Sequence, residues 1–238
     1  MEQQTKEAYD TPQQDFMQGG ITLLQSWLSK HFHEKEAIML TKFFYRCEKD
    51  ISQLYRMYES LWTEGKQIFT VDGQLAFTVT PERIWVTDGH EDVEYAAEEW
   101  KHIIGRGIAF LEELLPLGSV VELKKEYMED HMPVLKKAGK VRIVITERYL
   151  SYTGNSYFPY AGVPYPTGTF ASSRRLVFSP ALVDKVLLTG FTDEQERAYQ
   201  YLMKQEYLLE KEMDMCGFEP AEERERMQKM MEEEDHGR

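Results

Sequence analysis

The sequence predicts an α+β protein: a helical N-terminal half with a small antiparallel β meander, then a small antiparallel β-sheet or barrel-like domain, and a C-terminal helix. Three observations support this fold class. Apolar residues recur at helical spacing over residues 21–64 and 93–115, and the period changes to two between them. Beyond residue 116, further strand-like runs surround a stretch rich in Tyr, Pro and Gly, which is typical of a separate β region.

The N-terminal segment, residues 1–20, is polar and rich in Gln, and we expect it to be disordered. Residues 21–33 then carry apolar side chains at helical spacing. Residues 34–64 continue the pattern as a long amphipathic helix, with a break near His33 and a stop at Gly65.

A β meander follows, because the period changes to two. Residues 67–70 and 75–80 are predicted strands, and the Asp72-Gly73 dipeptide between them is a strong hairpin signal. Residues 83–87 form the third predicted strand.

Residues 93–115 predict a second helix with a wide apolar face. Gly105 and Gly107 each weaken it by about 1 kcal/mol relative to Ala, and they would let another element approach closely. Pro116 stops the helix, so we place a domain boundary here. The predicted domains are residues 21–115, an α+β region, and residues 116–217, a β domain with a C-terminal helix.

The C-terminal helix is predicted to begin at Thr192 and to run to about Met215. Thr192 is the expected N-cap, because Gln195 three residues later completes a capping-box pattern. Residues 218–238 form a charged tail rich in Glu and Met, which we predict to be flexible.

Residues 149–191 hold most of the local structural information. Two strand-like runs, 142–150 and 175–179, flank a predicted loop dense in Tyr, Pro and Gly, and a third run, 185–189, follows. The prolines make the loop stiff. Two interpretations stay open: a presented aromatic surface for a partner protein, or a loop folded back onto its own domain, which we favour.

The partner-binding hypothesis rests on side chains that such a surface would present. They are Tyr157, Phe158, Tyr160, Val163, Tyr165, Arg174 and Arg175, joined by Trp27 and Trp100 of the helical half. The two arginines are a compact basic site in an acidic chain. They either bind a carboxylate-bearing partner segment or neutralise nearby acidic side chains, and we favour the second role.

Four motifs occur in order along the chain: LPLGSVVEL at residues 115–123, VRIVITER at 141–148, YAGVPYPTG at 160–168 and VDKVLLTGFTDEQERAY at 183–199. This order resembles a small bacterial family, domain-of-unknown-function family 4176, over about residues 114–205. The chain departs from the family pattern in a longer, more charged insertion at residues 126–140.

The resemblance implies a function but no catalytic residues. Members of this family tend to lie in type VII secretion loci of Gram-positive bacteria, beside polymorphic toxins with an LXG targeting domain. The family therefore implies an adaptor or chaperone-like accessory role in toxin export. We expect the helices over residues 21–65 and 93–115 to be the docking surface, by helix-in-groove packing. The alternative is an immunity protein that neutralises the toxin's C-terminal domain.

Charge and cysteine content limit the kinds of partner and the cellular compartment that we expect. The formal net charge is −13 and no basic block occurs, so nucleic-acid binding is not expected, whereas a protein partner is. No apolar run approaches the roughly 20 residues that span a bilayer, and no signal sequence is visible, which predicts a cytoplasmic protein without membrane insertion. Cys47 and Cys216 are interpreted as free thiols.

Signals for catalysis, metals and cofactors are absent from the sequence. His31 and His33 would lie on different faces of a helix, and the remaining histidines are scattered. No P-loop, GxGxxG or GxSxG motif occurs. We therefore predict a non-enzymatic protein with no cofactor and no metal, and an enzyme is the least supported class.

Overall fold

The structure is a computed structural model that describes residues 19–61, 66–71, 75–80, 82–87, 92–124, 140–152, 155–170 and 175–216. Its contacts divide the chain into two units. The first comprises residues 1–112 and 197–212, and the second comprises residues 113–196 and 213–238. The chain therefore passes between the units three times.

Several sequence predictions lie outside the described residues. They are the disorder of residues 1–18, the helix stop at Gly65, the Asp72-Gly73 turn, the insertion except for Lys140, and the tail at 218–238. Gly19 and Gly20, which the sequence placed in the disordered segment, are instead the first two residues of a helix.

Four helices belong to the first unit: α1 (Gly19–His31), α2 (Glu34–Cys47), α3 (Ser52–Ser60) and α4 (Ala97–Leu111). A fifth, α5 (Glu194–Lys204), crosses the division and continues as a π-helical turn, Gln205–Glu210. In the part of the chain that is described, none of the helices combines the length and the apolarity that crossing a membrane requires.

The prediction of one long helix over residues 34–64 is wrong, because α2 ends at Cys47 and α3 begins at Ser52. Asp50 lies in the break. Its carboxylate accepts hydrogen bonds from the Ser52 hydroxyl and from the Gln53 amide, the latter at 3.2 Å. A short acidic side chain that bonds to its own neighbours competes with helical hydrogen bonding, which explains the restart.

The first sheet is a four-stranded antiparallel meander in the order β1–β2–β3–β4. The predicted first three strands are present as β1 (Gln67–Val71), β2 (Leu75–Val79) and β3 (Arg83–Thr87). A fourth strand, β4 (Asp92–Ala96), corrects the sequence prediction, which placed residues 93–96 in a helix.

The helical prediction failed at β4 because strand pairing overrides apolar spacing there. Val93 pairs with Val86 and Tyr95 pairs with Ile84, so the segment completes the sheet before α4 begins at Ala97.

The core of the first unit lies between the helices and one face of this sheet. Phe77, Val79 and Ile84 are buried from the sheet side, and Phe77 meets Phe43 of α2 and Trp100 of α4. Alternate residues of β3 are exposed, as period-two pleating requires.

Residues 197–212 return to the first unit and are held on α4 by two buried cations. The Lys204 ammonium donates a 2.8 Å hydrogen bond to the Phe110 carbonyl oxygen, and Arg106 donates to the Leu208 carbonyl oxygen. Carbonyl groups in the last turn of a helix have no hydrogen-bond donor within that helix. Lys204 supplies such a donor in the last turn of α4.

The second sheet has the strand order β10–β7–β6–β5–β9, with β8 paired to β7. Its strands are β5 (Val120–Leu123), β6 (Val141–Tyr152), β7 (Ser156–Pro164), β8 (Leu176–Phe178), β9 (Val183–Leu188) and β10 (Asp214–Met215). Pairing is antiparallel except between β10 and β7. The predicted runs at 142–150, 175–179 and 185–189 correspond to β6, β8 and β9.

The predicted aromatic loop is wrong over residues 156–164, which form β7. Proline within a paired strand argued for a loop, since it cannot donate a ladder hydrogen bond. The pairing of β6 with β7 omits Pro159 and continues on either side of it, through Leu150 with Phe158 and Arg148 with Tyr160. Tyr149 of β6 adopts a positive φ of 54° at this level. The strand therefore accommodates its proline at a local irregularity.

The C-terminal helix differs from the prediction at both ends. Asp193, rather than Thr192, caps α5, because its carboxylate oxygen accepts a 2.9 Å hydrogen bond from the Glu196 amide. Both residues suit an N-cap, so the sequence left two registers possible, and the helix begins one residue later than the capping box implied. At the other end, Met215 lies in β10 and not in the helix.

Candidate partner-binding surfaces

The aromatic residues predicted to face a partner lie mostly in the core of the second unit. Tyr157, Phe158 and Tyr160 of β7 are all buried. The Tyr157 ring stacks on Tyr149 with centroids 5.8 Å apart, and the Tyr160 ring packs on Phe178 at 5.2 Å. These three side chains build the domain rather than its surface.

Tyr160 also fixes the LPLGS turn, which comprises residues 115–119. Its hydroxyl oxygen accepts a 2.7 Å hydrogen bond from the Leu115 amide. Gly162, two residues on, lies so close to β6 that an added Cβ would collide with the Val144 carbonyl oxygen. Tyr160 and Gly162 of the YAGVPYP motif therefore have structural roles.

Tyr165 is the exposed member of the predicted aromatic set, with 49% of its surface accessible. Its amide donates a 2.8 Å hydrogen bond to the Arg142 carbonyl oxygen, which holds the backbone beside β6. Val163, the next residue after Gly162, is half-buried. Of the aromatic set, Tyr165 is thus the side chain that a partner can reach directly.

The basic pair is described only in part, since Arg174 lies outside the described residues. The Arg175 guanidinium forms a 2.8 Å ion pair with Glu147, and both side chains are partly exposed. This contact corresponds to the second of the two roles considered above, the neutralisation of a nearby acidic side chain.

Trp27 and Trp100 are both buried in the first unit. The Trp27 ring stacks on His31 at 4.8 Å, and the Arg106 guanidinium lies 5.2 Å from its centroid. Trp100 packs on Tyr95, with ring centroids 5.2 Å apart. Neither tryptophan is available for docking while the unit is folded.

Shifted pKa values accompany structural hydrogen bonds in this unit. Burial raises the pKa of Tyr95, and its hydroxyl also donates a 2.7 Å hydrogen bond to Glu36. A hydrogen bond from Lys30 lowers the pKa of the Glu212 carboxyl. Within the described ranges, no three or more His, Cys, Asp or Glu side chains converge to hold a metal ion.

The first unit exposes other apolar side chains that sequence reasoning missed. Ile38 and Tyr45 lie seven residues apart on α2 and are both exposed. On the outer face of the meander, Ile68 and Trp85 are exposed and are joined through Thr78, which pairs with each of them. The seven-residue spacing on α2 was a readable signal, because it places both side chains on one helix face.

The second unit exposes a denser apolar group at β9. Val186, Leu187 and Leu188 are all exposed, and Phe191 beyond the strand is 80% exposed. Leu117 of the LPLGS turn is exposed as well. The run of three apolar residues was visible in the sequence, but such a run is typical of a strand buried on both faces, so the sequence did not predict this exposure.

The fold and these surfaces define an α+β protein with two largely antiparallel sheets and exposed apolar side chains on both of its units. Residues 114–199 match the model of the family described as Domain of unknown function (DUF4176). The resemblance predicted from the motifs is thereby confirmed over that segment. No curated protein and no solved structure matches the chain.

Proposed function

We propose that the protein is a non-enzymatic adaptor or chaperone-like accessory protein of a bacterial type VII secretion system. It binds an LXG-type toxin, or a partner of that toxin, in the cytoplasm and aids its export. The match of residues 114–199 to the family carries this proposal, because the family resemblance implies that genomic setting.

Exposed apolar side chains support a protein-binding role. Ile38 and Tyr45 are two exposed apolar side chains two turns apart on α2, a pair that we call the α2 stripe. α2 lies within the segment expected to dock on a helical partner. Helical partners engage such stripes through residues spaced by one or two turns. With Trp27 and Trp100 in the core, this stripe replaces them as the docking candidate on the first unit.

The second candidate function is an immunity protein, and the net charge of −13 favours it. An acidic surface is complementary to the basic active site of a nuclease toxin. The two candidates differ in which half of the toxin they bind. An export adaptor binds the LXG half, whereas an immunity protein binds the variable C-terminal half.

The test is a pull-down of the full chain against the LXG and C-terminal halves of the toxin encoded beside it. Retention of the LXG half supports the adaptor, and retention of the C-terminal half supports immunity. Retention of neither half contradicts the immunity role and direct binding of the toxin by an adaptor.

A matched pair of variants locates the contact. Ile38→Glu places a charge in the α2 stripe, and we expect it to weaken retention of the LXG half at least tenfold. Ile68→Glu changes a similarly exposed isoleucine on the meander and serves as the control. If both variants retain the LXG half equally well, α2 is not part of the interface.

A further inference from the structure

Within the described part of the chain, the outer edge of β9 is open. β9 ends the strand order of the second sheet and pairs only with β5 among the described strands. A strand in this position presents a row of backbone N–H and C=O groups to whatever approaches from the side. The geometry therefore favours an occupant in the extended conformation.

Both faces of β9 are apolar and exposed near its C-terminal end. Val186 pairs with Val121 and Leu188 pairs with Val120, so Val186 and Leu188 point to opposite faces, and Leu187 is an extra residue between them. All three side chains are exposed. The described residues thus leave both faces accessible at this end. An added strand could be contacted by side chains above and below its own plane.

Among the described strands, three of the four other edge strands are protected by shortness or charge, whereas the fourth, β1, carries no charge. At this end of β9 the only such device is a register shift that makes Leu187 an extra residue. Edge strands are commonly shortened or given charged residues, which discourages pairing with other chains. At the far side of the same sheet, β10 has two residues and β8 has three. In the meander, β4 carries Asp92 and Glu94. The charges of β9, Asp184 and Lys185, lie in its first half.

The end of β9 is held firmly. The Gly190 amide donates a 2.9 Å hydrogen bond to the buried Ser119 hydroxyl, which in turn donates to the Pro116 carbonyl oxygen at 2.7 Å. An added Cβ on Gly190 would collide with the Leu117 carbonyl oxygen. These contacts hold the segment that carries the exposed Phe191 against the LPLGS turn, in which Leu117 is exposed as well.

Charge distinguishes between a second copy and a different protein as the occupant. Two copies would each bring a net charge of −13, and like charge opposes association. The second unit, residues 113–196 and 213–238, itself carries 19 acidic and 14 basic side chains, so its charge opposes an acidic partner and favours a neutral or basic one. A non-acidic segment of another protein is therefore favoured.

We propose that the outer edge of β9 binds an extended, apolar, non-acidic segment of a partner protein by strand addition, with Leu188 and Phe191 as side-chain contacts. This mode combines main-chain hydrogen bonds with pockets for alternate side chains. The inference deepens the proposed function and rests on it only for the identity of the partner.

Hydrogen–deuterium exchange of the full chain tests the edge. Two probes are added separately: the LXG half of the toxin, and a ten-residue peptide of alternating valine and threonine with a lysine at each end. We expect each probe to slow amide exchange over residues 183–188. A version of the peptide with proline at alternate positions should not, because proline cannot donate the ladder hydrogen bonds.

Two lysine variants distinguish binding at the outer edge of β9 from binding to any exposed apolar surface. Leu188→Lys should weaken binding of both probes at least tenfold, since an edge lysine opposes strand addition. Trp85→Lys, on the inner strand β3 of the meander and at a position 38% exposed, is the control for a lysine placed away from a strand edge and should leave binding unchanged.

The outcomes separate the two proposals. If the peptide protects β9 and the toxin does not bind, direct binding of the toxin is contradicted and the edge inference stands. If the toxin binds without protecting β9 and Leu188→Lys has no effect, the edge inference is overturned and the export role stands. Protection by neither probe overturns the edge inference. A dimer at neutral pH that Leu188→Lys dissociates overturns the choice of a different protein as occupant.

Discussion

At the scale of single residues, two glycines of α4 have different surroundings although they lie two positions apart. A Cβ added to Gly107 would collide with the buried Phe44 ring of α2, whereas one added to Gly105 would lie 3.8 Å from Tyr58, an ordinary contact. The sequence indicated that this pair would permit close approach. The structure assigns the close approach to Gly107.

Gly107→Ala should therefore destabilise the protein. We expect a loss of about 1–3 kcal/mol from overpacking, which outweighs the gain of about 1 kcal/mol in helix propensity. Gly105→Ala is the control and should be neutral or stabilising by up to about 1 kcal/mol. Urea unfolding of the two variants measures the difference, and equal effects would contradict it.

Tyr95 predicts a dependence of stability on alkaline pH. Burial, and then the hydrogen bond to Glu36, raise its pKa, so the folded protein keeps the phenol proton at pH values where the unfolded chain releases it. Stability from this source is complete below the ordinary tyrosine pKa of about 10 and falls as pH rises above it. Tyr95→Phe should flatten this fall in urea unfolding measured from about pH 8 to 11. An unchanged slope would count against the assignment.

At the scale of elements, the start of α5 depends on Asp193. Asp193→Ala removes the acceptor for the Glu196 amide, and we expect a loss of about 0.5–2 kcal/mol. Thr192→Ala, at the position that the sequence favoured as the cap, should change the unfolding free energy by much less. A larger effect at Thr192 would restore the original capping-box prediction.

Two Arg–Glu pairs of the second unit offer a comparison of burial. Arg148 is 3% exposed and binds Glu196 through both guanidinium nitrogens, one at 2.9 Å, while Arg175 and Glu147 are partly exposed. Glu196→Ala should cost about 3–5 kcal/mol, because it leaves a buried charge. Glu147→Ala should cost less than about 1 kcal/mol. Thermal unfolding of the two variants would show whether burial decides the cost.

The elements differ in how far the sequence could predict them. The first three strands of the meander follow from their alternation and turn signals, and β6 follows from its apolar run. β7 could not be predicted this way, because proline is normally excluded from paired strands. The sequence does not show that the pairing of β7 is locally irregular at Pro159. The burial of the aromatics proposed for docking escaped prediction for a related reason: composition identifies aromatic side chains, but only packing decides which of them are buried.

At the scale of the whole molecule, net charge should control self-association. The sequence isoelectric point is about 5.0, so repulsion between copies fades as pH falls from about 7.5 towards 5. We expect light scattering to show growing association over this range, and Leu188→Lys to reduce it more than Trp85→Lys on the inner strand β3 does. Association that both variants reduce equally would point to charge alone rather than to β9.

The threefold passage of the chain between the units has a consequence for inheritance. The family match ends at residue 199, but the second sheet includes β10, which follows only after residues 197–212 have joined the first unit. A gene fragment limited to the match would lose that strand. Recombination could therefore not exchange the complete second unit as one contiguous segment. A protein that carried only the matched residues would need another strand to pair with β7 where β10 does here.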